Sequence, residues 1–198
     1  SIPASDALKD HLEKQLLETV KNGHNHEVSG ARDYCQKYSA ILVTGDPGSG
    51  KSCFLKNEIL AYCKALADVD DFSDVSNDSW YANHLPVMVV LSEFVSESDE
   101  EDSNIFDIVS RLLMRKGLPL SSKDLSELAL QGKIAWFFDG LDEIVSIEKR
   151  AKAVKHINSV VEKYIPFGCR VVVTSRPAAV HVVNLLPDLH KLELQGLS

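Results

Sequence analysis

Eight residues, Gly45-Asp-Pro-Gly-Ser-Gly-Lys-Ser52, have the types and spacing needed to hold a phosphate group. Gly45, Gly48 and Gly50 let the backbone turn tightly, so that successive N–H groups face phosphate oxygens. Lys51 supplies an ammonium for β- and γ-phosphates, and the Ser52 hydroxyl is a ligand type for Mg²⁺. Pro47 stiffens the loop without removing a needed donor. The residues expected to contact nucleotide therefore run from Gly45 through Asp46, Pro47, Gly48, Ser49, Gly50, Lys51 and Ser52 to Cys53. The pattern G-x-x-x-x-G-K-[ST] has this chemistry only between a strand and a helix.

A second stretch, Lys133-Ile-Ala-Trp-Phe-Phe-Asp139-Gly-Leu-Asp142-Glu143, ends an apolar run in acids. An unpaired carboxylate directly after a buried strand is costly, and a Mg²⁺ shared with Ser52 would supply Asp139 with its partner. Asp142 and Glu143 follow one turn later, where they can orient or deprotonate a water attacking the γ-phosphate, or merely serve a helix dipole. The third stretch is Cys169-Arg-Val-Val-Val-Thr-Ser-Arg176. Arg176 can stabilise γ-phosphate charge, or pair with Asp139 or Asp142 instead. Thr174 reads as a hydrogen-bonding strand end.

These groups need elements to position them. Ser39-Ala-Ile-Leu-Val-Thr44 is the strand before the loop. After it, Phe54, Leu55, Ile59, Leu60, Cys63 and Leu66 recur at helical spacing, with Cys53 and Cys63 placed on the apolar side. Leu85–Leu91 is a second buried strand, followed by an acidic surface loop from Glu93 to Asp102. Ile105–Leu113 and a shorter segment (Leu125, Leu128 and Leu130, with Ser121 or Ser122 as cap) read as helices. So does Ile147–Tyr164, with Ala151, Val154, Ile157 and Val161 on one face. Pro177–Leu186 reads as a short helix and His190–Gln195 as a last, edge strand. Ahead of all this, Leu8, Leu12, Leu16 and Val20 mark an amphipathic helix over 6–22, and Asp68–His84 reads as an inserted loop. Helices alternating with apolar strands specify a three-layer α/β domain around a mostly parallel, five-stranded sheet, whose ligands sit at the carboxyl ends of the strands.

Composition sets bounds on the rest. In 198 residues, 44% apolar and 25% charged, there is room for one substantial core. A net charge of −8 argues against nucleic acid as the main ligand. Cys35, Cys53, Cys63 and Cys169 lack metal-ligand spacing and read as free thiols in a reducing compartment, and His24 and His26 read as solvated. No apolar run of membrane-spanning length occurs, and a cytoplasmic location is expected. The chain begins at Ser1 rather than Met, and a piece of a longer protein is expected.

The combination of GDPGSGKS, WFFDGLDE and VVVTSRP resembles the NACHT family of STAND P-loop NTPases, regulatory ATPases of immune and programmed-death proteins. The resemblance runs from about Ala31 to Leu197, giving residues 1–30 as an N-terminal helix and linker and 31–198 as the nucleotide-binding domain. It implies Lys51 and Ser52 as phosphate and Mg²⁺ residues, Asp139 as the metal-linked acid, Asp142 and Glu143 as the pair supporting hydrolysis, and Arg176 as a sensor of the γ-phosphate. It also implies that the Thr174 strand lies between the strands ending in the phosphate loop and in Asp139. Family members continue into helical and winged-helix subdomains, whereas this sequence stops at Ser198.

The function expected is a slowly hydrolysing ATP/ADP switch that oligomerises with other protomers, with effector and sensor domains elsewhere in the same protein. A small-molecule kinase, a GTPase and a non-hydrolysing nucleotide scaffold are the alternatives. The first lacks a cluster of lid arginines, and the second lacks an [NT]-K-x-D motif.

Overall fold

Apolar runs of five or six residues, too short for helices, alternate with segments whose apolar residues recur every three and four, and the fold follows that alternation. The computed structural model describes residues 34–35, 37–67, 83–97, 104–177 and 189–194. In chain order the elements are β1 (Ala40–Thr44), α1 (Lys51–Ala67), β2 (Leu85–Val90), α2 (Leu91–Glu97), α3 (Ile105–Arg115) and α4 (Ser122–Leu130). They continue as β3 (Ile134–Asp139), a 3-10 turn (Leu141–Glu143), α5 (Ile147–Tyr164), a second 3-10 turn (Ile165–Phe167), β4 (Arg170–Ser175) and β5 (His190–Glu193). The expected helix over 6–22, nearly all of the Asp68–His84 loop and the Pro177–Leu186 helix beyond its first residue lie outside the described residues.

The five strands form one sheet in the order β2-β3-β4-β1-β5, and every pairing is parallel. Strand β4 lies between β1 and β3, as the resemblance implied. Successive side chains alternate between the faces. Leu42, Trp136, Phe138, Val171 and Val173 pack with α2, α3, α4 and α5, while Ile41, Val43, Ala135, Phe137 and Val172 pack with Phe54, Leu55 and Tyr62 of α1. This is the three-layer α/β architecture, and burial of both faces explains why β3 and β4 read as continuous apolar runs.

Several local readings need correction. The acidic stretch from Glu93 begins inside α2 rather than in a loop. Leu91, Phe94 and Val95 give that helix a buried stripe, while Glu93 pairs with Lys116 at 2.9 Å and Glu97 with Arg115 on its outer side. In α5 the buried stripe is Ala153, Val154, Ile157, Val160 and Val161, and Ala151 is exposed. In α4, Leu125 and Ala129 are buried and Leu130 is exposed; Ser121 is the cap, in a reciprocal capping box with Asp124.

Cys53 is also misplaced by the sequence reading. It falls off the buried Phe54–Glu58–Tyr62 stripe of α1 and is exposed, whereas Cys35, Cys63 and Cys169 are buried; none of the four is in a disulfide. Burial raises the Cys63 pKa to about 11 and raises that of Cys169 as well. Because the thiolate is the nucleophile, iodoacetamide at pH 8 is expected to label Cys53 first and the other three only after denaturation. Peptide mass mapping checks this, and fast labelling of Cys63 or Cys169 in the native protein would contradict the packing.

Candidate nucleotide-binding site

Strand β1 delivers the chain into the loop, which is closed by the Ser49 N–H donating to Asp46 O at 3.1 Å. The Phe54 N–H donates to Gly50 O at 2.8 Å and begins the helical ladder. The first N–H groups of α1 have no acceptor within the helix, and no acid stands in its first turn to oppose an anion. Gly45 is enclosed: a Cβ there would lie 2.3 Å from Ser49 Oγ and 2.8 Å from the carbonyl oxygen of Leu194, just past β5. The Ser49 hydroxyl is buried within the loop. Lys51 bends back, its Nζ donating to Gly45 O at 2.6 Å and Asp46 O at 3.0 Å.

The second wall comes from the ends of β3 and β4. Register sets Thr174 beside Val43 on one side, with Val173 beside Phe138 on the other, so Thr174 and Asp139 emerge together. The Thr174 hydroxyl donates to Asp139 Oδ1 at 2.6 Å, and the Ser52 hydroxyl approaches the same oxygen at 3.4 Å. Gly140 adopts φ 78°, its N–H donating to Thr174 Oγ1 at 2.8 Å. The Glu143 N–H closes the turn onto Gly140 O at 3.0 Å. The Glu143 side chain folds over Gly140, its Cδ 2.9 Å from where a Cβ would stand. A side chain at position 140 would be both strained and obstructed.

Asp142 and Arg176 are a pair. The Arg176 backbone N–H donates to Asp142 Oδ1 at 3.1 Å, and its Nε lies 2.8 Å from Oδ2. The carboxylate is nearly buried, at 11% exposure, and the arginine side chain is 54% exposed. Beyond the turn, Arg150 Nη2 donates to Ile144 O at 2.6 Å and Ser146 caps α5, so the acidic segment is held from both ends.

Together these parts enclose a cavity of about 340 Å³, lined among others by Lys51, Ser52, Cys53, Asp139, Glu143 and Arg176. Pro47, Gly48, Gly50 and Asp142 also reach it, while Gly45, Asp46 and Ser49 shape the loop from behind. Of the partners left open for Arg176, the structure selects Asp142. Thr174, read from the sequence as a hydrogen-bonding strand end, has that role: its hydroxyl joins the acidic strand end to the neighbouring strand.

Among the described residues no group of three or more His, Cys, Asp and Glu could hold a metal. A hydroxyl and a carboxylate meeting at 3.4 Å still fit Mg²⁺, which takes one or two hard protein oxygens and completes its shell with phosphate and water.

No helix among the described residues is long and apolar enough to cross a membrane. No curated protein matches the chain. The family model for the NACHT domain matches residues 77–198, more than half of the sequence. That span takes in Asp139 to Glu143 and Arg176, while the phosphate loop, ending at Ser52, lies outside it. With that match and a parallel α/β sheet of the P-loop type, the chain belongs to the NACHT domain family of STAND P-loop NTPases, which are nucleotide-binding switch modules.

Proposed function

We propose that this domain is a Mg²⁺-dependent switch that binds ATP, hydrolyses it slowly to ADP, and so controls oligomerisation of a larger cytoplasmic signalling or defence protein. The observation that supports this reading is convergence. Lys51, Ser52, Asp139, Glu143 and Arg176, from three strand ends, line one cavity. ATP is preferred over GTP because the sequence has no [NT]-K-x-D motif.

Each residue has a role in this reading. The loop N–H groups and the start of α1 hold the phosphates. The Lys51 ammonium has three donors, two of them engaged with loop carbonyls, and it reaches the phosphates by trading or sharing those bonds. Ser52 and Asp139 would hold Mg²⁺, which when bound neutralises phosphate charge. Glu143 is the base: its carboxylate is exposed beside the cavity, whereas both oxygens of Asp142 are engaged by Arg176. Glu143 takes a proton from the attacking water. Asp142 acts as the support for Arg176, whose other guanidinium donors stabilise γ-phosphate charge.

Two measurements test the assignment. Lys51→Ala removes a charge-assisted contact worth roughly 1.5–3 kcal/mol, so affinity for a fluorescent ATP analogue should fall about ten- to a hundredfold. An unchanged Kd would remove the phosphate loop from the site. Glu143→Gln should bind ATP normally yet hydrolyse it at least about tenfold more slowly in single-turnover assays, since such bases contribute ~10²–10⁴-fold. Asp142→Asn should slow hydrolysis less. Normal turnover in Glu143→Gln with collapse in Asp142→Asn would move the base to Asp142, and tight binding without turnover in the wild type would make the domain a non-hydrolysing nucleotide scaffold.

A further inference from the structure

We propose that Thr174 is a positioning residue shared by two carboxylates. It sets Asp139 directly and Glu143 through the Gly140 turn, so that β4 couples metal affinity to water activation. The proposal rests on the roles given to Asp139 and Glu143 under the proposed function.

A threonine hydroxyl has one proton to donate and lone pairs to accept with. The proton of Thr174 goes to Asp139 Oδ1 at 2.6 Å, in the short range of bonds to an ionised oxygen. A lone pair takes the Gly140 N–H at 2.8 Å. The residue is 1% exposed. With its proton committed, Thr174 has none to give a phosphate, and it acts on ligand only through its neighbours.

Both neighbours matter to the chemistry. Oδ1 of Asp139 is fixed by Thr174 and is the oxygen that Ser52 approaches, which sets the plane of the carboxylate. The Gly140 peptide, anchored by its N–H on Thr174, accepts the Glu143 N–H on its own carbonyl and carries the folded Glu143 side chain against its Cα. Turning that peptide would move both acids. The branched Cβ of threonine restricts χ1 and holds the hydroxyl in place, and its position in the ladder between β1 and β3 leaves it little room to shift.

Thr174→Val keeps the volume and removes both hydrogen bonds, while Thr174→Ser keeps the hydroxyl. A fluorescent ATP analogue is titrated into wild type, both variants, Asp139→Asn and the Thr174→Val/Asp139→Asn double variant, each in Mg²⁺ and in EDTA. In Thr174→Val the gain in affinity due to Mg²⁺ should shrink roughly tenfold while the EDTA affinity stays within about twofold, with Thr174→Ser recovering most of the loss. The double variant should lose no more than Asp139→Asn alone, because the hydroxyl works through that carboxylate. Single-turnover hydrolysis at saturating Mg²⁺ and ATP should also slow in Thr174→Val, and an unchanged rate overturns the link to Glu143. Equal losses in Mg²⁺ and EDTA overturn the proposal, because they mean direct phosphate contact or a general defect. Full metal dependence in Thr174→Val, with none in Asp139→Asn, overturns the role of Thr174 and leaves the metal site standing. A wild type with no metal dependence overturns the metal reading and the proposal with it. Should Thr174→Val fail to fold by circular dichroism, Thr174→Cys, with a weaker donor of similar size, replaces it under the same expectations.

Discussion

A carboxylate at the end of a strand packed on both faces needs donors, and the surroundings of Asp139 answer that need. Strand β3 is apolar from Ile134 to Phe138 and becomes polar only at its last residue. The donor closest to hand must come from the adjoining strand, and β4 brings Thr174 to that level. A second hydroxyl, Ser52, arrives from the start of α1. With β4 wedged between β1 and β3, one carboxylate gathers the ends of three strands. An order that separated these strands further would leave Asp139 without the Thr174 hydroxyl.

The polar residues around the cavity are bonded largely to one another. Lys51 lies on two loop carbonyls, Arg176 on Asp142, and Thr174 bridges Asp139 and Gly140. On the proposed function, ligand binding would therefore be an exchange of hydrogen bonds rather than a plain addition. Net affinity reflects the difference between two satisfied arrangements, which is why individual contacts contribute modestly.

Much of this was legible from local chemistry. The phosphate loop, the acidic strand end and the arginine strand end are short segments whose residue types declare their use, and the flanking strands follow from β-branched runs such as Val171 to Val173. Less legible was anything set by phase or by distant partners. Helix α2 was hidden because Glu93 and Glu97 dominate a segment whose apolar stripe is only three residues wide. The phase of α5 was ambiguous because alanines at 151 and 153 fall on different sides of the helix. Cys53 looked apolar by type, but α1 turns that position outward. Which acid Arg176 meets depends on the turn at Gly140, whose left-handed backbone swings Asp142 towards β4. The strand order came from family resemblance, since pairing between strands far apart in sequence leaves no local trace.

That strand order also governs how the domain is made. Strand β1, which leads into the phosphate loop, pairs Ala40 with Val171 and Ile41 with His190, so both its neighbours follow it far along the chain. Until they pair with it, the segment Ala-Ile-Leu-Val-Thr has two bare edges, the kind of surface that invites wrong pairings and chaperone attention. Such distant pairings carry a large loop-closure entropy and fold slowly. The loop after β1 is thus framed by pairings distant in sequence, and on the proposed function a nucleotide that binds only the folded form would favour it by mass action.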